Sequence, residues 1–331
     1  MNDLAPTQGP APPHHRGRWL RWCASGWLLF VLLSASGCAW LDARERQLIY
    51  RPTPGGAQVP GWHAGDERYF VELPPAAVQP GEATDTMAQR VEMWWLPNAD
   101  PSAPTLLYFH GTVNNLAQNL PKMEALRTAG FAVLAVDYRG WGLSTPMTPS
   151  ERSILQDADV AWAELERREP RAGRRVIYGH SMGSGVAVDL ASRHRAPTEY
   201  AALILESAFT SFDGVAQDAG WWGRLLASFN HEHFASVEKI RQVRAPLLML
   251  HGSADDTVPL RLGLQLYAAA HRPKRWVPID GGGHADLQQI APAQYQSALR
   301  RFREQYVAGP RPAAIPGSGL PPPAASAGRP G

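Results

Sequence analysis

The chain has 331 residues, of which 44% are hydrophobic, so it is long enough to form one large domain with a substantial apolar core. Its formal net charge is only +2, and this balance gives no argument for a nucleic-acid partner. The two cysteines of the chain, Cys23 and Cys38, both lie near the N-terminus, so no disulfide framework is expected in the rest of the protein.

The first 37 residues have the parts of a secretory signal. Three arginines precede an apolar run over 22–33, small residues over 34–37 follow, and Cys38 comes next. The run is shorter than the roughly 20 apolar residues that span a membrane. Small residues directly before a cysteine resemble a bacterial lipobox, which implies cleavage before Cys38 and lipidation of its thiol. We therefore expect a lipoprotein of the cell envelope that faces the periplasm, with the outer membrane favoured; the alternative is an uncleaved signal anchor in the inner membrane.

After a linker over 38–66, strand and helix signals alternate through one domain over 67–308. Two β-prone runs, 68–73 and 90–96, are predicted to open it as an antiparallel pair. Six apolar strands are predicted to follow at 105–109, 132–136, 176–178, 202–205, 246–250 and 275–279. Helices are predicted at 116–128, 153–168, 184–194, 260–270 and 293–306. The alternation predicts an α/β fold, with a mostly parallel eight-stranded sheet and helices on both faces.

Two segments depart from this alternation. The stretch 207–235 is rich in aromatic and apolar residues and falls where an insertion would cover the carboxyl ends of the strands, at which open α/β sheets bind ligands. We predict a small lid there, although an ordinary helical excursion packed on the core is an equally good interpretation. Pro, Gly, Ala and Ser dominate residues 309–331, which we predict to be a disordered tail.

The stretch RVIYGHSMGSG over 175–185 indicates a nucleophilic serine. Its G-x-S-x-G pentapeptide, centred on Ser181, lies between an apolar strand and a helix start, which is the context of a nucleophile elbow. Glycines at 179 and 183 remove Cβ atoms that would clash with the strand and the helix. An ordinary strand-to-helix turn is the alternative, since Gly and Ser are common in loops.

A serine hydroxyl needs a base to take its proton, and His284 is the candidate. It follows the last predicted strand and three glycines, whose turn can bring an imidazole over the sheet edge. Asp255, which follows the preceding strand, is our choice for the carboxylate that orients the imidazole, and its neighbour Asp256 is the alternative. The order Ser181, Asp255, His284 is the order of the triad that accompanies a nucleophile elbow.

Acyl transfer also needs two backbone N–H groups that bind the developing oxyanion. We assign the N–H of Met182, directly after the nucleophile, and the N–H of Thr112, in the HGT loop after the third strand. Asp137 and Arg139 precede the nucleophile in the chain, so we expect them to tie loops together under the site. The run HEH over 231–233 predicts no metal site, because alternate helix positions face different ways and no third ligand is apparent. No metal or organic cofactor is expected.

Residues from about 106 to 306 resemble a serine hydrolase of the α/β-hydrolase family. Six motifs carry the resemblance: HGT at 110, DYRGWG at 137, GHSMGSG at 179, ESAFTS at 206, HGSADDTVP at 251 and GGGHAD at 281. They are similar to a subgroup of eukaryotic α/β-hydrolase domain proteins and many bacterial relatives. The resemblance implies the α/β-hydrolase fold, an acid at Asp255, and action on acyl esters, thioesters, lysophospholipids or sometimes peptides.

The sequence thus predicts a membrane-tethered serine hydrolase that forms an acyl-enzyme on Ser181. Its expected partner is a small-molecule acyl ester or a lipid-derived substrate, because the tether and the apolar residues over 221–234 favour an apolar acyl group. One alternative is a peptidase or amidase of the same fold. Another is a non-catalytic envelope protein that uses the fold to bind a ligand.

Overall fold

The computed structural model describes residues 43–56, 62–74, 88–218 and 232–307. The chain divides into two compact units, residues 1–49 and 50–331. In the first unit, residues 43–49 are helical. The predicted signal segment, Cys38 and the predicted C-terminal tail lie outside the described residues. Within the described ranges, none of the helices combines the length and the apolar character that crossing a membrane requires.

Eight strands form a single sheet in the second unit. In chain order they are β1 (Glu67–Glu72), β2 (Arg90–Leu96), β3 (Thr105–Phe109), β4 (Ala132–Asp137), β5 (Arg175–His180), β6 (Ala202–Glu206), β7 (Leu247–Gly252) and β8 (Lys274–Ile279). Their spatial order is β1-β2-β4-β3-β5-β6-β7-β8. β2 pairs antiparallel with β1 and β4, and the remaining neighbours are parallel. This arrangement confirms the predicted α/β fold and its antiparallel opening pair.

Helices connect the parallel strands. The α-helices described after residue 100 are α1 (Leu116–Thr128), α2 (Glu151–Arg168), α3 (Met182–Arg193), α4 (Phe212–Asp218), α5 (Ser236–Lys239), α6 (Leu260–Ala269), α7 (Leu287–Ile290) and α8 (Pro292–Tyr306). The five long helices were predicted to within two residues at each end. α4, α5 and α7 were not predicted, because four to seven residues are too few to show a helical hydrophobic repeat.

The inner strands are buried on both faces, as their apolar sequences predicted. Every residue of β3 to β7 is buried. On one face, strand residues such as Tyr108 and Val176 pack with Met123 of α1 and Leu299 of α8. Successive residues of a strand point to opposite faces, and α2 and α3 pack together against the other side. Helices thus cover both faces of the sheet, and the loops at its carboxyl edge start from buried strand ends.

Residues 50–56, which the sequence assigned to a linker, pack onto the domain. Tyr50 is fully buried, and its ring lies 6.3 Å from that of Trp141 and 6.0 Å from that of Phe212, between centroids. The backbone just after Tyr50 pairs with Gly142 in an isolated β-bridge. Seven residues without a repeat give no periodic signal, so only the tertiary contacts define where the packed domain begins.

The predicted lid over 207–235 is described at its two ends only. Phe234 is fully buried, and its ring lies 4.9 Å from that of Phe212. A Cβ atom added to Gly185 on α3 would come within 2.9 Å of the Phe234 ring, so this aromatic side chain packs on the core. The apolar residues over 221–229 lie outside the described residues, and the lid stays a prediction.

Candidate active site

The turn between β5 and α3 has the strained geometry of a nucleophile elbow. Ser181 has φ 55° and ψ −124°, a conformation that L-residues rarely adopt. A Cβ atom on Gly179 would lie 2.1 Å from the carbonyl oxygen of Gly183, and one on Gly183 would lie 2.1 Å from that of Phe109. The Ser181 N–H donates to the Glu206 carbonyl at 3.0 Å. Any side chain at these two glycine positions would therefore clash with the backbone. The end of the neighbouring strand β6 holds the turn through the Glu206 carbonyl.

The structure brings together the three side chains predicted for acyl transfer. His284 Nε2 lies 2.8 Å from Ser181 Oγ, and His284 Nδ1 lies 2.9 and 3.0 Å from the two carboxylate oxygens of Asp255. The residues come from the loops after β5, β7 and β8. The His284 side chain is 19% exposed, whereas that of Asp255 is fully buried. This geometry lets the hydroxyl pass its proton to an imidazole whose positive charge faces a buried carboxylate.

Of the two neighbouring aspartates, the structure places Asp255 on the imidazole. One Asp255 oxygen also accepts the N–H groups of Val258 at 2.8 Å and Thr257 at 3.0 Å. Burial on its own would raise the pKa of the Asp255 carboxyl, but the hydrogen bonds and charge of His284 and the backbone donor outweigh it and lower the pKa. Asp256 is exposed and contacts the Thr257 hydroxyl instead. Asp255 is thus held ionised beside the His284 imidazole.

Hydrogen bonds connect the glycine turn over 281–283 to the loop after β7. Gly281 has φ 67°, which favours glycine, and its N–H donates to Ser253 Oγ at 2.9 Å. The Gly282 carbonyl accepts the N–H of Ala254 at 2.9 Å. These bonds join the turn that carries His284 to the loop that carries Asp255.

The two predicted oxyanion donors lie on segments that adjoin Ser181. Met182 is the first residue of α3, where a backbone N–H has no intrahelical acceptor. Gly111 is so close to the nucleophile that a Cβ atom added to it would lie 3.0 Å from Ser181 Cβ. The next residue, Thr112, accepts a hydrogen bond on its carbonyl from Trp141 Nε1 at 2.9 Å. Trp141, which the sequence reasoning missed as a site residue, therefore orients the loop that carries the Thr112 N–H.

Asp137 and Arg139 tie loops together beneath the site, as predicted. Asp137 Oδ1 lies 3.1 Å from His110 Nε2 and accepts the N–H of Leu116 at 3.1 Å, which joins the loop after β3 to the start of α1. Arg139 Nε donates to Asp157 at 2.7 Å, and both side chains are fully buried. A buried ion pair of this kind fixes the loop after β4 against α2.

A polar cluster that the sequence reasoning missed lies below the nucleophile. The Glu206 carboxylate is fully buried and accepts hydrogen bonds from Lys122, Tyr178 and Tyr295, the last at 2.9 Å. Burial raises the pKa of Glu206, but the Lys122 charge, together with the hydrogen bonds from Lys122 and Tyr178, outweighs it and leaves the pKa below its ordinary value. The only sequence feature that pointed to this cluster was the ESAFTS motif, which begins at Glu206. Since the Glu206 carbonyl holds the Ser181 N–H, this cluster anchors the nucleophile turn in the core.

The described residues contain no group of three or more His, Cys, Asp or Glu that could hold a metal ion. In the HEH run, Glu232 accepts the hydroxyl of Tyr50, and His233 Nδ1 lies 2.8 Å from Asp213 Oδ2. His231 lies outside the described residues. The two described members of the run therefore contact different parts of the domain.

Three comparisons place the chain among known proteins. A sequence model of the family described as "Serine aminopeptidase, S33" matches residues 100–239. The chain is 35% identical over 278 residues to an uncharacterized protein of Mycobacterium tuberculosis, across 82% of this chain and 92% of the relative. It is 33% identical over 208 residues to alpha/beta hydrolase domain-containing protein 17B of Xenopus laevis, across 62% and 68% of the two chains. An esterase structure from Pyrococcus furiosus shares the fold, with a TM-score of 0.59 and 20% sequence identity. The match covers 78% of this chain and 99% of the esterase chain.

Proposed function

The chain belongs to the α/β-hydrolase family, and on that premise we propose that it is a serine hydrolase that cleaves a carboxylic ester through an acyl-enzyme on Ser181. One observation carries the proposal: Asp255, His284 and Ser181 form a continuous hydrogen-bonded chain, with contacts of 2.9 and 2.8 Å. Such a chain activates a hydroxyl that would otherwise be a weak nucleophile.

In the proposed reaction, Ser181 Oγ attacks the ester carbonyl carbon while His284 Nε2 takes the hydroxyl proton. The carbonyl oxygen becomes an oxyanion that the N–H groups of Met182 and Thr112 bind, each worth about 3 kcal/mol of transition-state stabilisation. The C–O bond to the leaving group then breaks, and His284 returns the proton to the departing alcohol. Water attacks the acyl-enzyme with His284 again as the base, which releases the acid and restores Ser181. Asp255 stays ionised and stabilises the imidazolium throughout.

The nature of the acyl substrate is part of the proposal. The Pyrococcus furiosus protein that shares the fold is an esterase, which favours an ester here as well. Lipid-derived thioesters and lysophospholipids are proposed with it, because of the predicted tether. A peptidase or amidase is the second candidate, supported by the description "Serine aminopeptidase" of the matching family. In that reaction His284 would protonate a leaving amine. The intact hydrogen-bonded chain of Ser181, His284 and Asp255 weighs against a purely ligand-binding role.

We further propose that the enzyme is a lipoprotein tethered through Cys38 at the outer membrane and facing the periplasm. The support is the sequence pattern of arginines, apolar run and small residues before Cys38. An inner-membrane signal anchor is the competing arrangement.

A fluorophosphonate probe tests the nucleophile directly, because it reacts only with an activated serine. The full chain should be labelled, and Ser181→Ala and His284→Ala should not, while Ser192→Ala on the same helix α3 should label like wild type. A folded wild-type chain that is not labelled would contradict the proposal. Hydrolysis of p-nitrophenyl esters from acetate to palmitate, compared with aminoacyl p-nitroanilides, then separates the ester from the peptidase function, and a preference for acetate would exclude the lipid-derived substrate.

A further inference from the structure

The backbone carbonyl of His284 accepts two hydrogen bonds from side chains that the proposed reaction does not use. His180 Nε2 lies 2.9 Å from this oxygen, and Ser207 Oγ lies 3.0 Å from it. His180 is the last residue of β5, directly before the nucleophile, and Ser207 directly follows β6. The oxygen is therefore held from the end of β5, which leads into the nucleophile, and from the end of the neighbouring strand β6.

Resting on the proposed function, we propose that His180 and Ser207 are positioning residues that set the place of the base relative to the nucleophile. We call the two donors and the His284 carbonyl the carbonyl clamp. The clamp acts on the main chain of the base, whereas Asp255 acts on its ring. Together they leave the imidazole little freedom to move away from Ser181 Oγ.

The backbone of Ser207 is strained in a way that serves the clamp. Its φ is 49°, in the left-handed region that favours glycine, and the residue is fully buried. Its N–H donates to the Leu250 carbonyl at 3.0 Å, which continues the pairing of β6 with β7. A glycine would adopt this conformation without strain, but it has no hydroxyl. A strained residue that persists at a site points to a functional use of its side chain.

Two adjacent residues connect the nucleophile to the base. The Glu206 carbonyl accepts the Ser181 N–H at 3.0 Å, and the hydroxyl of the next residue, Ser207, holds the His284 carbonyl. The Glu206 side chain is anchored in the buried cluster by Lys122, Tyr178 and Tyr295. The anchored peptide between residues 206 and 207 therefore contacts both partners of the proposed proton transfer, Ser181 through one residue and His284 through the next.

His180 is suited to donate because it stays neutral and has one defined tautomer. Burial, assisted by the nearby Lys122 charge, lowers the pKa of His180 to about 3. A neutral imidazole has a single N–H, and since a carbonyl can only accept, that hydrogen lies on Nε2. The other nitrogen, Nδ1, is buried and has no hydrogen-bond partner among the described residues. Among the described residues, the ring thus makes one hydrogen bond, to the His284 carbonyl.

Proton transfer is sensitive to the position of the base, because the heavy atoms must approach to about 2.6–3.2 Å. A misplacement of about 1 Å reduces rates by roughly a hundredfold. Loss of one clamp donor should therefore lower the rate at which Ser181 reacts by about tenfold, and loss of both donors should lower it by about a hundredfold. The effect should be on kcat, because both side chains are buried and contact the His284 carbonyl.

The test uses the full chain and measures the second-order rate of fluorophosphonate labelling, together with kcat and KM for p-nitrophenyl butyrate. Ser207→Ala and Ser207→Gly both remove the hydroxyl, but only the glycine also relieves the backbone strain. We expect Ser207→Gly to be more stable than Ser207→Ala in thermal unfolding. The labelling rate and kcat should nevertheless be equally low in the two variants. A rate that recovers in the glycine variant would assign the effect to strain and overturn the clamp.

The second pair of variants distinguishes the effect of the His180 ring from the effect of its N–H donor. His180→Gln keeps a donor near the position of Nε2 and should stay within a few-fold of the wild-type labelling rate. His180→Phe keeps a ring of similar size without the donor and should lose about tenfold. Wild-type rates in Ser207→Ala, Ser207→Gly and His180→Phe would refute the clamp and leave the proposed function intact. A rise in KM at constant kcat would also refute it. A folded wild-type chain without labelling would remove both proposals.

Discussion

Replacing Asp255 by asparagine is the sharpest single test of the proposed chemistry, because the structure dictates which way the new amide must face. Asp255 Oδ1 accepts the N–H groups of Thr257 and Val258, so an asparagine must place its carbonyl oxygen there. Its NH₂ group then takes the place of Oδ2, which lies 2.9 Å from His284 Nδ1. An NH₂ group can only donate, and Oδ2 at 2.9 Å is the nearer of the two oxygens to Nδ1, with Oδ1 at 3.0 Å, so the substitution favours the tautomer in which Nδ1 accepts and the ring hydrogen lies on Nε2.

In this tautomer His284 cannot take the proton of Ser181, although the side chains have hardly moved. The expected loss in kcat is about 10⁴-fold, which corresponds to roughly 5.5 kcal/mol of transition-state stabilisation. The assay is hydrolysis of p-nitrophenyl butyrate, with circular dichroism to verify the fold. Asp256→Asn is the matched control, because that side chain is exposed, and it should stay within about twofold. Near-normal activity in Asp255→Asn, with a large loss in Asp256→Asn, would refute the assignment.

Three further predictions address packing, pH and the N-terminus. Gly183→Ala places a Cβ atom 2.1 Å from the Phe109 carbonyl oxygen, so urea unfolding should show a loss of about 3 kcal/mol or more, and an unchanged midpoint would contradict the geometry. His180 has a pKa of about 3 when folded and an ordinary value near 6.5, so the unfolded chain takes up a proton that the folded chain refuses. The free energy of unfolding should therefore fall as the pH drops below about 6.5, by up to about 1.4 kcal/mol per pH unit. His180→Gln should flatten this slope between about pH 6.5 and 5. Equal slopes in the wild type and the variant would contradict the buried neutral ring. Cys38→Ala should abolish lipid attachment in mass spectra of the mature N-terminus and release the protein from the membrane fraction, whereas Cys23→Ala should change neither; an unlipidated wild type would favour the signal anchor.

Much of the fold could be predicted because its signals are local. A strand covered on both faces must be apolar along its whole length, and β3 to β7 are. A long amphipathic helix repeats its apolar positions often enough to be recognised, although α2 begins two residues early because Ser150 and Ser153 cap each other reciprocally. The short helices and residues 50–56 offered no comparable repeat, and residues 50–56 contact the distant residues Trp141, Gly142 and Phe212.

The nucleophile turn could also be predicted from sequence, because its requirements are local. A strand, two glycines that flank a serine and a following helix are all written within RVIYGHSMGSG. The glycines proved necessary because other backbone atoms occupy the space of their missing Cβ atoms. Chain order alone also selected His284 as the histidine after the last strand.

Only the tertiary structure decided which groups surround the base. The sequence favoured Asp255 and left Asp256 as the alternative, whereas the structure shows the backbone donors at 257 and 258 that hold the first toward His284. The carbonyl clamp joins residues 104 and 77 positions apart in the chain. Hydrogen bonds require atoms to approach within about 3 Å in a narrow range of angles, and no local pattern encodes that for residues so far apart. The sequence determined which chemical groups the sheet carries, and the packing of the strands determined which of them meet.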